Sequence, residues 1–149
     1  MRVIFIRHGE RVDNQETAAL TPHGRDMATA ARAWLAEKGH VPTHAFHTGR
    51  VRTVQTSDIL LEGAGVVASK VRSMPRDWTT WPTFISESLR GAGDGSVLLV
   101  GHQPTQNMLE RVFPEALAPT NNRCAGIVLE STADGTWRCQ DYYAGTPRK

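Results

Sequence analysis

The sequence predicts an α/β fold, a three-layer sandwich whose mostly parallel central sheet carries helices on both faces. Two runs, Val3–Ile6 and Val97–Val100, are entirely apolar, as expected of strands that are buried on both faces of a parallel sheet. Segments with helical periodicity alternate with the strand candidates along the chain. Near the C-terminus, Asp134–Gly135 separates two strand-like segments, which favours an antiparallel hairpin at the end of the fold.

The individual elements follow from apolar spacing and from capping residues. Met1–Ile6 is the first strand candidate, and Thr21, Pro22 and Gly39 suit the N-cap, the first position and the C-terminal stop of the first helix. The later predictions are a strand over Thr43–Thr48, a helix over Arg50–Glu62, a strand over Val66–Val71, a short helix from Phe84 to Gly91, a strand over Val97–Val100, a helix opened by Pro104, and a hairpin of Ile127–Leu129 with Trp137–Tyr143.

Length and composition limit the class of protein. With 149 residues, 40% of them hydrophobic and 21% charged, the chain has the size of one domain, and we expect a single domain over residues 1–149. A formal charge of +2 without a basic run disfavours nucleic acid as a partner. The longest purely aliphatic or aromatic runs have four residues, whereas a membrane helix needs roughly 20. We therefore expect a cytoplasmic protein, and the oligomeric state stays open.

The two cysteines fit a reducing compartment. Cys124 and Cys139 form no CxxC motif. A turn at Asp134–Gly135 would place Cys139 opposite the neighbourhood of Glu130, which argues against a disulfide. We expect two free thiols in or near the core.

Cationic side chains follow three of the strand candidates. Arg7 and His8 follow the first strand, Arg50 and Arg52 follow the short second one, and His102 follows the apolar run of the fourth. The carboxyl ends of parallel strands meet at one edge of a sheet, so we expect these side chains to lie together. Arginines and helix N-termini bind anions, and the set predicts a site for a phosphate group.

A metal ion held by His8 and His102 is the alternative. Arg7 and Arg52 would repel a cation, and no carboxylate cluster is evident nearby, so a metal site is disfavoured. A histidine in a phosphate site can instead attack phosphorus in line and form a phosphohistidine, which water then hydrolyses.

Four segments resemble, in the right order, the motifs of the histidine phosphatase superfamily, the phosphoglycerate mutase-like or two-histidine phosphatases. Arg7–Glu10 resembles the RHG signature, and Leu20–Gly24 resembles the LTxxG helix start. Thr48–Thr56 is similar to the SPxxRAxQT segment, and Val100–Pro104 is similar to the segment that carries the second histidine. The resemblance spans nearly the whole chain.

The resemblance implies a role for each matched residue. His8 would be the nucleophile that becomes transiently phosphorylated, Arg7, Arg52 and His102 would clamp the phosphoryl oxygens, and Gly9 would let the backbone approach them. The resemblance also implies that neither a metal nor an organic cofactor is needed. The implied catalytic residues are His8, Arg7, Arg52 and His102. The implied substrate-binding residues are Arg7, Gly9, Arg52, His102 and Gln103.

Two carboxylates are candidates for a general acid. Mutase-type and acid-phosphatase members use a Glu or Asp to protonate the leaving alkoxide, and here Asp77 lies in about the right segment while Glu10 adjoins the nucleophile. The family's Ser-Pro dipeptide is Thr48–Gly49 in this sequence, so we expect a less rigid loop before the arginine helix.

The spacing of the motifs bears on the substrate. Only 49 residues separate Arg52 from His102, too few for the cap of mutases and phytases, so the resemblance points to the small, uncapped, SixA-like type. An open site suits a phosphorylated protein, and we slightly favour phosphohistidine as the substrate. By contrast, Arg7–Asp13 looks more like the mutase-type branch and the ubiquitin-associated, SH3-containing phosphatases. The alternatives are a small-molecule phosphomonoesterase, a mutase-like enzyme and a non-catalytic phosphate-binding domain.

Overall fold

The structure is a computed structural model that describes residues 1–75, 77–113 and 123–145. The strands are β1 (Arg2–Arg7), β2 (His44–His47), β3 (Val71–Ser73), β4 (Ser96–Gly101), β5 (Gly126–Ser131) and β6 (Trp137–Tyr143). The helices are α1 (Pro22–Glu37), α2 (Val51–Leu61), α3 (Trp81–Ala92) and α4 (Gln103–Val112), with short 3₁₀ turns at Ala68–Lys70 and Trp78–Thr80.

The strands form one sheet in the order β3-β2-β4-β1-β5-β6. The first four strands run parallel, and β5 and β6 add an antiparallel hairpin beside β1. Side chains of β1 alternate between two cores, because successive strand residues point to opposite faces. Val3 and Phe5 pack on the face covered by α3 and α4, whereas Ile4 and Ile6 pack on the face covered by α1 and α2. The predicted three-layer fold is confirmed.

The register between β1 and β4 decides where the functional residues emerge. Arg2 lies opposite Ser96, and Arg7 lies opposite Gly101, so both strands end at the same level. The residues that follow them, His8 and His102, therefore leave the sheet side by side.

The strand predicted over Val66–Val71 is wrong in position. Ala68–Lys70 is a 3₁₀ turn, and β3 covers Val71–Ser73, where it pairs with residues 45–47 of β2. β2 is only four residues long, so the segment before Val71 lies beyond the strand with which it would pair. Val67 is accordingly 54% exposed.

The helix predicted from Phe84 to Gly91 is longer than expected. It begins at Trp81 and ends at Ala92, because Pro82 is tolerated in the first turn of a helix, where its missing N–H is not needed. Trp81 is buried in the core, and its Nε1 donates a hydrogen bond to the carbonyl of Pro75 (2.7 Å).

The expectation of free thiols is confirmed, but the two cysteines differ in exposure. Cys124 is buried and Cys139 is exposed, so the prediction that both lie in or near the core is wrong for Cys139. Cys139 lies opposite Leu129 in the hairpin, next to Glu130 as predicted, and a bulge interrupts the pairing between Val128 and Leu129. No helix in the described part of the chain is long and apolar enough to cross a membrane.

This difference predicts selective thiol chemistry. Burial raises the pKa of Cys124 to about 12, so its thiolate is scarce as well as shielded. We expect a thiol reagent such as dithionitrobenzoate to modify Cys139 in the native protein and Cys124 only after unfolding. A Cys139→Ser variant that still reacts rapidly in its native state would contradict the burial of Cys124.

Candidate active site

Two histidines face each other at the carboxyl edge of the sheet. The ring centroids of His8 and His102 lie 5.2 Å apart, with an angle of 62° between the ring planes. The backbone N–H of His8 donates to the carbonyl of Gly101 (3.1 Å), so the two loops are joined directly beyond the ends of β1 and β4. The sequence prediction that these strand ends converge is thus met in the backbone as well as in the side chains.

Hydrogen bonding assigns the protons of His8. Its Nδ1 lies 2.7 Å from the carbonyl oxygen of Gly9, which can only accept, so Nδ1 carries the proton and Nε2 keeps a lone pair. The side chain is buried, and burial is the main cause that lowers its pKa to about 3. The bond to Gly9 opposes this shift, while the charges of Arg123 and Arg52 add to it. The imidazole is therefore neutral at physiological pH, with a nucleophilic nitrogen.

Hydrogen bonding also assigns the protons of His102. Its Nε2 lies 2.6 Å from Oγ1 of Thr48. Thr48 donates its single hydroxyl proton to Thr53 (3.0 Å), and Thr53 donates to the carbonyl of Arg50 (3.0 Å). The hydroxyl of Thr48 is left as an acceptor, so Nε2 of His102 must be the donor.

The other nitrogen of His102 supports the same assignment. Nη2 of Arg52 lies 3.4 Å from Nδ1 of His102, and a guanidinium can only donate, so Nδ1 is unprotonated. Burial first, and then the charge of Arg52 with those of other arginines, lowers the pKa of His102 to about 4. The backbone N–H of His102 donates to Oγ1 of Thr105 (3.2 Å), which fixes the residue at the start of α4.

The histidines lie in a cleft with a volume of about 1090 Å³ that is rich in arginine. The arginines that line it are Arg7, Arg11, Arg50, Arg52, Arg111 and Arg123. The Nε atoms of Arg11 and Arg52 are buried and have no hydrogen-bond partner among the described residues. Burial, followed by the charges of Arg11, Arg50 and Arg123, lowers the pKa of Arg52 to about 10. Crowded like charges with unsatisfied donors are stabilised by a bound anion.

The same arginines disfavour a metal ion bound between His8 and His102. Nη1 of Arg123 lies 3.3 Å from Nε2 of His8, and Arg52 approaches Nδ1 of His102. The histidine nitrogens that would bind a metal ion thus already face guanidinium groups, which repel a cation.

Gly9 has a packing role in the structure. A Cβ atom at this position would lie 2.5 Å from the carbonyl oxygen of Gly24 at the start of α1. The N–H of Gly9 donates to Oγ1 of Thr56 (3.1 Å), which in turn donates to the carbonyl of Arg52 (2.7 Å). The loop that carries His8 is therefore packed against α1 and hydrogen-bonded to α2.

Both candidate acids accept hydrogen bonds from threonines outside the pair of histidines. Oε1 of Glu10 accepts a hydrogen bond from Thr21 (2.8 Å), the N-cap of α1. Asp77 is exposed, and its Oδ1 accepts from the hydroxyl (2.6 Å) and the N–H (3.0 Å) of Thr79. These bonds lower the pKa of Asp77, which is the wrong direction for an acid. Neither Glu10 nor Asp77 lines the cleft.

Thr48–Gly49, which replaces the Ser-Pro dipeptide of the family motif, allows a hydrogen bond that stabilises the loop. Gly49 has a φ of 79° and donates its N–H to Nδ1 of His47 (3.0 Å). Proline can adopt neither feature. The loop before α2 is therefore held by a bond that the Ser-Pro form lacks, which counts against a looser loop.

The remaining predicted residues occupy different positions. Arg7 and Arg52 are buried, and Arg50 is partly exposed and forms an ion pair with Glu16. Gln103 is the first residue of α4, but its side chain lies outside the part of the structure that is described.

Sequence reasoning missed four residues of the cleft. These residues are Arg11, Thr48 as a partner of His102, Arg111 and Arg123. Arg11 lies one residue beyond the recognised Arg7–Glu10 segment, so its position was a usable signal. Arg123 precedes β5 in a loop without a motif, and nothing local marks it.

A histidine with a nucleophilic nitrogen among arginines, at the edge of a parallel sheet, defines a site of the phosphoryl-transfer class. The chain matches the family model of the histidine phosphatase superfamily (branch 1) over residues 3–78, and it belongs to this family. The resemblance read from the sequence motifs is thereby confirmed. No curated protein sequence matches the chain significantly.

Solved structures of similar fold cover almost the whole chain. The protein histidine phosphatase SixA complexed with tungstate superposes with a TM-score of 0.81 at 18% identity, covering 97% of both chains. A mycobacterial glucosyl-3-phosphoglycerate phosphatase gives 0.71 at 17% identity, covering 97% of this chain and 99% of that one. The phosphoserine phosphatase of Entamoeba histolytica, complexed with 3-phosphoglyceric acid, gives 0.68 at 12% identity, with 95% and 96% coverage. These identities show a shared fold.

The hydrogen bond from His102 to Thr48 predicts a selective effect of substitution. In Thr48→Val the Nε2–H of His102 loses its acceptor, at a cost of about 1–3 kcal/mol, or roughly a ten- to hundredfold loss of kcat on p-nitrophenyl phosphate. Thr48→Ser keeps the hydroxyl and should retain most of kcat. Equal losses in the valine and serine variants would contradict the role given to the hydroxyl.

The lowered histidine pKa values predict a dependence of stability on pH. His8 and His102 bind protons more readily in the unfolded chain, so the free energy of unfolding should fall as the pH drops from about 6.5 towards 4. Urea denaturation across this range should give a shallower slope for His8→Gln and for His102→Gln than for the wild type. The exposed His23 supplies the control, since His23→Gln should keep the wild-type slope.

Proposed function

We propose that this chain is a metal-independent phosphatase that acts through a covalent phosphohistidine on His8. The observation that carries the proposal is the neutral His8 ring, whose Nδ1–H is held by Gly9 while Nε2 is directed into the arginine-lined cleft. Nε2 attacks phosphorus in line, and the bond from phosphorus to the leaving group breaks as the leaving group takes the electron pair. Water then attacks phosphorus, the P–N bond breaks, and inorganic phosphate and neutral His8 are regenerated.

The surrounding residues stabilise the charges that develop in these steps. The ring of His8 becomes positive when Nε2 is phosphorylated, and the carbonyl of Gly9 stabilises it through Nδ1–H. Arg7, Arg11 and Arg52 supply donors to the phosphoryl oxygens. Arg123, which contacts Nε2 at 3.3 Å, turns to a phosphoryl oxygen as phosphorus takes that position.

The chemistry of the leaving group favours a protein-linked phosphohistidine as the substrate. Among the described residues that line the cleft there is no carboxylic acid, and an alkoxide leaves poorly without one. Imidazole is a better leaving group, and the cleft is open enough for a side chain that projects from a protein. SixA, whose fold this chain shares, is a protein histidine phosphatase. The free cysteines further suit a cytoplasmic setting.

A small phosphomonoester is the second candidate substrate. One wall of the cleft is apolar and contains Pro75, Trp81 and Pro82, a surface that could cover the carbon skeleton of a metabolite. The similar structures include phosphatases of glucosyl-3-phosphoglycerate and phosphoserine. A mutase requires an enclosed pocket that excludes water, which this open cleft does not favour.

The mechanism predicts that activity resists chelators and depends on His8. We expect wild-type protein to hydrolyse p-nitrophenyl phosphate equally with and without EDTA, and His8→Ala to lose at least about a thousandfold in kcat because the nucleophile is gone. Acid-labile labelling of the wild type by a ³²P-phosphoryl donor, absent in His8→Ala, would report the intermediate. His23→Ala is the matched control and should behave as the wild type.

Other outcomes would separate the alternatives. Phosphate binding without turnover of any phosphorylated compound would identify a non-catalytic binding domain. Turnover that survives His8→Ala would overturn the proposed intermediate. A Glu10→Gln or Asp77→Asn variant that loses far more activity on an alkyl than on an aryl phosphate would reinstate that carboxylate as the acid.

A further inference from the structure

The cleft extends well beyond the pair of histidines, along one face of α4. Pro104, Asn107 and Arg111 all line it, and their spacing of three and four residues places them on one side of the helix. At a rise of 1.5 Å per residue, the seven residues from Pro104 to Arg111 span roughly 10 Å. The Cα of Arg111 therefore lies two helical turns along α4 from Pro104, which follows the first residue of the helix.

One part of the described lining lacks charge. It consists of Pro75, Thr79, Trp81 and Pro82, from the segment between β3 and α3 and the first turn of α3. A ligand in the cleft is thus offered an uncharged surface as well as guanidinium groups.

The described lining of the cleft is far more positively charged than the chain as a whole. The formal charge of the whole sequence is only +2, yet the described lining contains six arginines and no Asp or Glu. Arg111 is exposed, and none of the ion pairs found among the described residues involves it. Of the arginines in the described lining, only Arg111 lies on α4, near its C-terminal end, and it is placed to meet a further negative charge on the same substrate.

We propose that Arg111 forms a second anion-binding subsite, which selects elongated substrates carrying a carboxylate about 10 Å from the phosphoryl group. An extended polypeptide advances about 3.3–3.6 Å per residue, so the matching ligand is a phosphorylated segment with an acidic residue about three positions away. The proposal rests on the proposed phosphatase function and names the class of substrate for that site.

A purely structural role for Arg111 makes a different prediction. A cation in the last turn of a helix interacts favourably with the helix dipole, and Arg111 lies in the last turn of α4. Arg90 occupies the same position in α3, is exposed, and does not line the cleft. Arg90→Gln therefore controls for the loss of a cation from a helix end.

The test uses peptides with one phosphotyrosine, whose aryl leaving group needs little protonation. A single Glu, or Gln in the control peptide, is placed two to six residues from the phosphotyrosine on either side. The readout is the ratio of kcat/KM for the Glu and Gln peptides, measured in the wild type and in Arg111→Gln, Arg111→Glu and Arg90→Gln.

We expect the wild-type ratio to peak at about three- to fivefold near the third position, as for an exposed ion pair, and to fall at high salt. The Glu-to-Gln ratio should approach one in Arg111→Gln, fall below one in Arg111→Glu, and keep its wild-type value in Arg90→Gln. In Arg111→Glu, a peptide with Lys in place of Glu should become the preferred substrate. A flat ratio at all positions, or a preference that survives Arg111→Gln, would overturn the subsite. Loss of turnover in His8→Ala would still uphold the phosphatase in that case, so the two failures are distinguishable.

Discussion

The parallel pairing of β1 with β4 is the constraint on which the site depends. Because Arg7 lies opposite Gly101, the two strands deliver His8 and His102 at the same height, and the backbone bond between His8 and Gly101 continues the pairing past the strand ends. A slip of one residue in this register would turn the side chains of a strand to the other face of the sheet. In the observed register, the side chains of both strands fill the cores on both faces of the sheet.

The second constraint is the free-energy cost of placing many like charges around one cleft. Six arginines, the buried His8 and the half-buried His102 around one cleft oppose folding, and the lowered pKa values of His8, His102 and Arg52 have this crowding and desolvation as their cause. The site tolerates it because guanidinium groups can point into the open cleft, and because each histidine gives its one proton to a fixed acceptor. The proton of His8 lies on Nδ1 and that of His102 on Nε2, so the two rings present different atoms to the same space.

The sequence allowed the layers of the fold and the central residues of the site to be predicted, because both depend on local patterns. Apolar runs mark buried strands, and Arg7, His8, Arg52 and His102 each follow a strand or begin a helix. The position of β3 depends on tertiary pairing with β2, which no local window contains, whereas the early start of α3 follows a local signal, Pro82 in the first turn, that the prediction did not use. Arg123 and Arg111 enter the cleft only through the course of the folded chain.

The contact between Gly9 and Gly24 gives α1 an influence on the chemistry that its own residues do not suggest. The helix supplies no group to the cleft, yet the carbonyl of Gly24 lies where any side chain on Gly9 would have to go. The position of the His8 loop therefore depends on the first turn of α1 as well as on its hydrogen bonds to Gly101 and Thr56. Fraying of that turn is a local opening far smaller than global unfolding. It would displace the loop of His8 and inactivate the site while the sheet remained intact.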